Sequence, residues 1–403
     1  MPKLLYFCSA ARQECLLNRT IRYWGTEEDQ SLKIRESLVL TLILALSVLL
    51  LPVSGTMNAT YQISAVGQIN SFALSWLHSD GNLIKDQDGR VIRLMGCGIE
   101  TPCEDFYYGG MGVTESWIQA ISSYGANCVR VFFSGQYVTN PTYMQYLDNI
   151  GSWCKKYNVY CYFNFACETH PQFWGDDAKR AALSSPTWIE KWIGWLETLA
   201  RHFINEPTMM GIGIFNEPVG DNATMHQAWW TNALACCRRI HAVNPNLLCF
   251  VGRDDYQKDF NYFFMDGGYG VFPEPNIVYA WHRYYHYDII YEIPAYGSNT
   301  YAYHYKSGDL ANAKTMWQQA LYHDSIRLQD TSDVPTSYEE WGEALDMMST
   351  DPHWQQWLQD TYDILEQYGC SSTQYCWEWM TAGAPPGQLN EAGQIWTQNM
   401  LRT

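Results

Sequence analysis

The chain has 403 residues, 42 acidic against 25 basic, for a formal charge of −17. That balance, without a basic stripe, opposes a polyphosphate partner and sets nucleic acid aside. Its 18 tryptophans and 29 tyrosines exceed what a core requires and suit a surface that stacks on flat, weakly polar rings such as sugars.

Residues 38–53, LVLTLILALSVLLLPV, form an uncharged apolar run, with Lys33 and Arg35 upstream and Val53-Ser54-Gly55 behind. This is the layout of a secretory signal, cleaved near Gly55. A short uncleaved anchor is the alternative, since a full membrane span needs roughly 20 apolar residues. Residues 1–55 are therefore read as a leader, either signal peptide or signal anchor. Residues 56–403 are read as one domain of a secreted protein, expected to be monomeric, because no Pro/Ser/Gly-rich linker and no fixed repeat divides them. Of 13 cysteines, Cys8 and Cys15 fall in the leader and an odd number remains, so at least one thiol stays free or pairs between chains. Cys97/Cys103 and Cys370/Cys376 are close enough in sequence to pair in an oxidising compartment. The paired CxxC or His spacings of a zinc centre are absent, so no metal and no cofactor is expected. Asn58-Ala-Thr60 and Asn222-Ala-Thr224 match the glycosylation acceptor pattern.

NLIKDQDGRVIRL (82–94) alternates apolar and polar residues around Asp88-Gly89 and predicts a short N-terminal hairpin. Apolar segments then recur. RLMGCGIE (93–100), ANCVRVFF (126–133), VYCYFNFA (159–166) and MGIGIFN (210–216) read as buried strands, followed by NLLCFVG (246–252), NIVYAWHR (276–283), PTSYEEWG (335–342) and QYCWEWM (374–380). Helical patterns separate most of them. In residues 186–203, Trp188, Ile189, Trp192, Trp195, Leu196 and Leu199 recur at three- and four-residue steps and form one apolar face. Eight apolar strands alternating with helices predict an α/β fold, a closed (β/α)8 TIM barrel. An open doubly wound sheet is the alternative, but no GxGxxG or phosphate loop follows the first strand.

Asn-Glu-Pro occurs twice, at 205–207 and 216–218. Catalytic groups of such a barrel sit where strands end. The first triplet closes the amphipathic helix and belongs at the bottom rim, with Glu206 at a solvated helix end and Pro207 stopping the helix. The second follows a strand, so Glu217 faces the mouth, where desolvation would raise its pKa and suit it to donate a proton. The seventh predicted strand ends in adjacent Glu339 and Glu340, which face opposite ways in an extended chain, so only one points to the axis. Glycosidic bond cleavage with retention needs two carboxylates about 5 to 5.5 Å apart.

Over residues 76–395 the chain resembles glycoside hydrolase family 5. The likeness rests on NLIKDQDGRVIRLMGCGIE, on Arg130 in GANCVRVFF, on GIFNEP, on His282 and Tyr284 in AWHRYY, on EEWG and on YCWEWMTAG. It implies Glu217 as acid/base and Asn216 beside it as a contact to the sugar 2-hydroxyl. It selects Glu340 over Glu339 as nucleophile, held ionised by Arg130 and Tyr284, with His282 orienting the network and Trp377 as sugar platform. The family's histidine at the end of strand three is missing, with Ala166 in its place, and His170 is the nearest substitute. YYGGMG (107–112), THPQFWG (169–175) and residues 282–297 are expected as loops walling a long cleft. The resemblance implies a retaining endo-acting hydrolase of β-1,4-linked polysaccharide or oligosaccharide, an endo-β-1,4-glucanase first. A mannanase or a transglycosylase shares the same residues, and a carbohydrate-binding barrel without turnover is the alternative of another class.

Overall fold

The computed structural model describes residues 74–401 apart from 101, 103–111, 169–174, 343–350, 383 and 385–387. The apolar run 38–53, Asn58, Cys103 and His170 lie outside the described residues, as do most of 107–112 and 169–175.

Eight parallel strands close into a barrel in chain order. They are β3 (Met95–Ile99), β4 (Cys128–Ser134), β5 (Tyr160–Cys167), β6 (Met209–Gly213), β7 (Leu248–Val251), β8 (Ile277–His282), β9 (Thr336–Glu340) and β10 (Ser371–Gln374). The last closes on the first with Ser372 opposite Met95. Ahead of them, β1 (Leu77–Asp80) and β2 (Leu83–Asp86) form an antiparallel hairpin. Its turn is at Gly81-Asn82, and the expected reversal at Asp88-Gly89 follows it, with Lys85 bridged antiparallel to Val91 and Ile92 N donating to Ile84 O at 2.8 Å. After β2 the chain curls around the buried Asp86 carboxylate, which accepts from the Asp88 and Arg90 backbone and from Arg90 Nε. A carboxylate that collects those donors fixes the turn from inside.

The barrel interior is filled by Leu94, Cys128, Tyr160, Met210, Leu248, Val278 and Ala280, with Tyr162 stacked on Phe250 at 4.1 Å. Leu77 and Ile84 of the hairpin belong to the same cluster. The predicted amphipathic helix runs Pro186–His202, started by Ser185, whose side chain accepts from Trp188 N. Its apolar face packs on the barrel, and buried Trp192 donates Nε1–H to Ile214 O at 2.9 Å, so the indole keeps a polar partner.

Three sequence expectations are corrected. The eighth strand is 371–374, and Trp377–Thr381 is a short helix. The strand Ser-Ser-Thr-Gln looks polar but is satisfied internally. Ser372 Oγ accepts from Trp341 Nε1, Thr373 Oγ1 donates to Glu339 O, and Gln374 Oε1 accepts from Tyr362 Oη. An apolar search passes over such a strand. Cys370 and Cys376 are free buried thiols, as is Cys97. The extended β10 lies between the first two, and at about 3.3 Å per residue it holds them well beyond disulfide reach. Residues 285–296, expected as loop, are helical. Asn222, a glycosylation acceptor by pattern, caps the helix Ala223–Val243 by accepting from Met225 N at 3.1 Å.

Candidate active site

The site is built where β4, β6, β8 and β9 end. β6 stops at Gly213, where any Cβ would come within 2.0 Å of Asn164 Oδ1. The chain then rises to the mouth, with Asn216 N donating to Phe165 O at 2.8 Å. Glu217 follows with φ at +49°, a left-handed backbone uncommon for a non-glycine residue. Two side chains hold it there: its N–H donates to Gln257 Oε1 at 2.8 Å, and its carbonyl accepts from Lys179 Nζ at 2.8 Å. Glu206, the other candidate, lies before β6 and pairs with Lys155 at 2.8 Å, away from this end of the barrel.

Arg130, at the centre of β4, is fully buried, with its guanidinium 4.4 Å from the Phe132 ring. Its Nη1 donates to Glu340 Oε2 at 2.6 Å and its Nη2 to Asn216 Oδ1 at 2.6 Å. Its Nε lies 3.2 Å from Glu339 Oε1. Tyr284 Oη donates to the other Glu340 oxygen at 2.7 Å. His282 places Nδ1 3.3 Å from Glu217 Oε1 and Nε2 3.5 Å from Glu339 Oε2. One ligand atom each from Glu217, His282 and Glu340 lie within 4.8 Å of one another. Among the described residues these three are also the group that could hold a metal ion, but Arg130 and Tyr284 already occupy both Glu340 oxygens, so a cation would compete with them.

Alternation predicted that only one of Glu339 and Glu340 would face inward. Both reach Arg130: Glu340 at the rim, and Glu339, 1% exposed, beneath it. The reason is the bridging guanidinium, which hydrogen-bonds Glu340 through Nη1 and forms an ion pair with Glu339 at 3.2 Å.

These contacts set the ionisation of the buried groups. Burial alone would raise the Glu339 pKa, but Arg130 and His282 outweigh it and hold the carboxyl below its ordinary value. For His282 burial favours the neutral ring, yet Glu340, Glu217 and Glu339 together raise its pKa. Arg130 is likewise kept cationic against burial by Glu339 and Glu340. The depressed Glu339 contributes stability that is present above about 4.5 and lost as pH falls through its folded value. The raised His282 contributes stability that is complete below about 6.5 and lost as pH rises through its folded value. The thermal midpoint should therefore plateau between those limits and fall on both sides. In Glu339→Gln the acid-side fall should shrink, and an unchanged acid limb would show that Glu339 is not the group responsible.

Trp377, expected as the sugar platform, is buried against Trp117, Tyr124 and Trp396. The helix that begins at Trp377 turns it into the core. The aromatics beside the carboxylates are Tyr375 and half-exposed Trp379, edge-to-face at 5.0 Å, with Tyr375 6.1 Å from Tyr284. Ala166, in the place of the missing histidine, packs in the same small cluster as Phe132, Tyr284 and Tyr375.

Residues 86–381 match the cellulase family, glycosyl hydrolase family 5. The chain belongs to that family. Within it, the chain is 22% identical to Endoglucanase G of Acetivibrio thermocellus over 285 residues, 55% of this chain and 49% of that protein. It is 25% identical to Endoglucanase C of the same organism over 157 residues, 36% of this chain and 43% of that one. It thus spans about half the length, or less, of these curated relatives. A β-glucanase from Saccharophagus degradans superposes with a TM-score of 0.61 at 15% identity, covering 85% of this chain and 98% of that one. An endocellulase from Pyrococcus horikoshii in complex with cellotetraose superposes with a TM-score of 0.59 at 15% identity, covering 82% and 98%. At these identities the solved structures attest the fold. In this family 5 barrel the residues at the site that sequence reasoning missed are Glu339, Lys179 and Gln257. Glu339 lies in EEWG but was passed over for Glu340, whereas Lys179 and Gln257 lie at no motif position, and only the closed fold brings the three together.

Proposed function

We propose that this family 5 protein is a retaining endo-β-1,4-glucanase. The observation that carries the reading is the proximity of Glu217 and Glu340, whose nearest ligand oxygens lie within 4.8 Å of each other. That suits retention, which uses carboxyl groups about 5 to 5.5 Å apart, and leaves no space for the water of an inverting site at about 6.5 to 9.5 Å. The endoglucanase and endocellulase names of its relatives support glucan as substrate.

The charges assign the roles. The Arg130 guanidinium and Tyr284 hold both oxygens of Glu340, which suits the nucleophile, and Glu217 lies beside His282 instead, which leaves it the proton donor. Glu340, fixed by Arg130 and Tyr284, attacks the anomeric carbon as the C–O bond to the departing sugar breaks, and Glu217 gives its proton to that oxygen. Water then loses a proton to Glu217 and displaces Glu340 from the same carbon, restoring both groups. Asn216 accepts from Arg130 through Oδ1, so its Nδ2 is the atom left to donate to the sugar 2-hydroxyl, a contact that strengthens in the transition state. Trp379 takes the platform role first given to Trp377. A polymeric substrate also calls for export, which the apolar run 38–53 would provide.

The test is parallel assay on soluble glucan, mannan and xylan, with the anomer of the first product read by NMR. Glucan should be cleaved fastest with a rapid fall in viscosity and the β-anomer appearing first. An initial α-anomer, or faster cleavage of mannan, would overturn the assignment. Trp379→Ala should raise KM for cellotetraose roughly tenfold at unchanged thermal midpoint.

A further inference from the structure

Gln257 is not on a barrel strand, yet it touches three of the elements that build the site. It lies on the segment after β7, 1% exposed, and its backbone carbonyl accepts from His282 N at 2.8 Å. Its side chain accepts from Glu217 N through Oε1 at 2.8 Å, and its Nε2 points at Glu339 Oε2, 3.4 Å away. The segment around it runs antiparallel to the loop carrying Glu217. Gly220 N donates to Asp254 O at 2.6 Å, Val219 bridges Asp255, and Tyr256 N donates to Pro218 O at 3.2 Å.

Two features show that the fold is arranged to keep this side chain in place. Tyr256 and Gln257 both have left-handed backbones, φ +55° and +56°, a conformation unfavourable for a non-glycine residue that persists only where surroundings impose it. The residue that closes β7 is Gly252, and a Cβ there would stand 2.3 Å from Gln257 Cγ, so the strand end is bare where the glutamine side chain lies. The chemistry also selects the residue type. A backbone N–H demands an acceptor and a carboxylate demands a donor, and the amide of glutamine supplies one of each. Glutamate would present two acceptors to Glu339, and asparagine is one methylene short.

The geometry points to Gln257 as a positioning residue for the acid/base: through its amide it fixes the left-handed backbone of Glu217, and so the direction of that carboxyl, relative to Glu339 and His282. It touches no reacting atom. The inference rests on the glycosidase reading above and adds a residue from a strand end, that of β7, which otherwise contributes nothing to the chemistry.

A carboxyl moved by about 1 Å can cost about 100-fold in rate, and only where its proton is needed. The experiment compares cellotetraose, whose leaving sugar must be protonated, with 2,4-dinitrophenyl β-cellobioside, whose phenolate departs without a proton. For both, kcat/KM reports formation of the glycosyl-enzyme. In the full-length chain Gln257→Leu should lower kcat/KM on cellotetraose by about 100-fold and on the aryl substrate by less than about 3-fold. Gln257→Glu is the second variant. Its neutral carboxylic acid reproduces one acceptor and one donor, so its activity on cellotetraose should recover towards wild type as pH falls and the new group protonates. Equal losses on the two substrates, or none on either, would overturn the positioning role, as would a glutamate variant whose pH profile parallels the wild type. A wild-type protein inert on both would instead remove the glycosidase reading itself.

Discussion

Glu340→Gln should reduce kcat on soluble glucan by more than about 10⁴-fold, the scale of removing a catalytic nucleophile. The substitution is nearly isosteric. Its amide oxygen can accept from Arg130 and its NH2 can donate to the Tyr284 hydroxyl, and Arg130 keeps its contact with Glu339, so the thermal midpoint should move little. What is lost is the anionic oxygen that forms the bond to the anomeric carbon. Incubating the wild type with an activated 2-deoxy-2-fluoro cellobioside should add one fluorocellobiosyl unit to the peptide containing Glu340, because the fluorine slows both formation and breakdown of the ester while the good leaving group restores only its formation. A label on Glu339 or Glu217, or no label with activity intact, would remove Glu340 from the nucleophile role. The same treatment of Glu340→Gln should leave that peptide unlabelled.

How much of this site was legible beforehand depended on whether a residue's position follows from the chain alone. Glu217 could be separated from Glu206 because one triplet follows a strand and the other closes a helix, and strand direction alone then assigns the rims. His282 and Tyr284 sit at or just beyond the end of β8, so the same logic reaches them, while Arg130 lies inside β4 and was reached through the family resemblance. Trp377 failed for a local reason. The strand was extended past Gln374 into an aromatic run, and the helical turn that begins at Trp377 brings Trp379 and Tyr375 to the site instead. Glu339 was read as facing away because alternation describes where a Cβ points and not where a carboxylate three bonds further on finds a cation. Gln257 gave no signal. It belongs to no periodic segment, and its contacts are with residues 40 and 82 positions away. The reversal at Asp88-Gly89 was legible from its turn residues, and the hairpin before it, turning at Gly81-Asn82, was not read.

Arg130→Met should be the most destabilising single change at the site, by about 3–5 kcal/mol in urea unfolding, because it leaves a buried carboxylate pair without its counter-charge. Glu339 and Glu340 share this one guanidinium, and with it gone burial would be opposed at Glu339 only by His282 and Tyr162, so its pKa would rise. The double variant Arg130→Met with Glu339→Gln removes the charge that burial penalises most. It should recover at least half of the lost stability, since replacing both members of a buried pair is far milder than removing one. Activity should not recover with it. Glu340 would still lack the donor at 2.6 Å that fixes one of its oxygens, and Asn216 would lose the contact that orients its amide. Stability and catalysis are therefore expected to separate in the double variant. Recovery of both together would mean that Arg130 serves the fold alone, and recovery of neither would mean that the Glu339 charge is not what the guanidinium compensates.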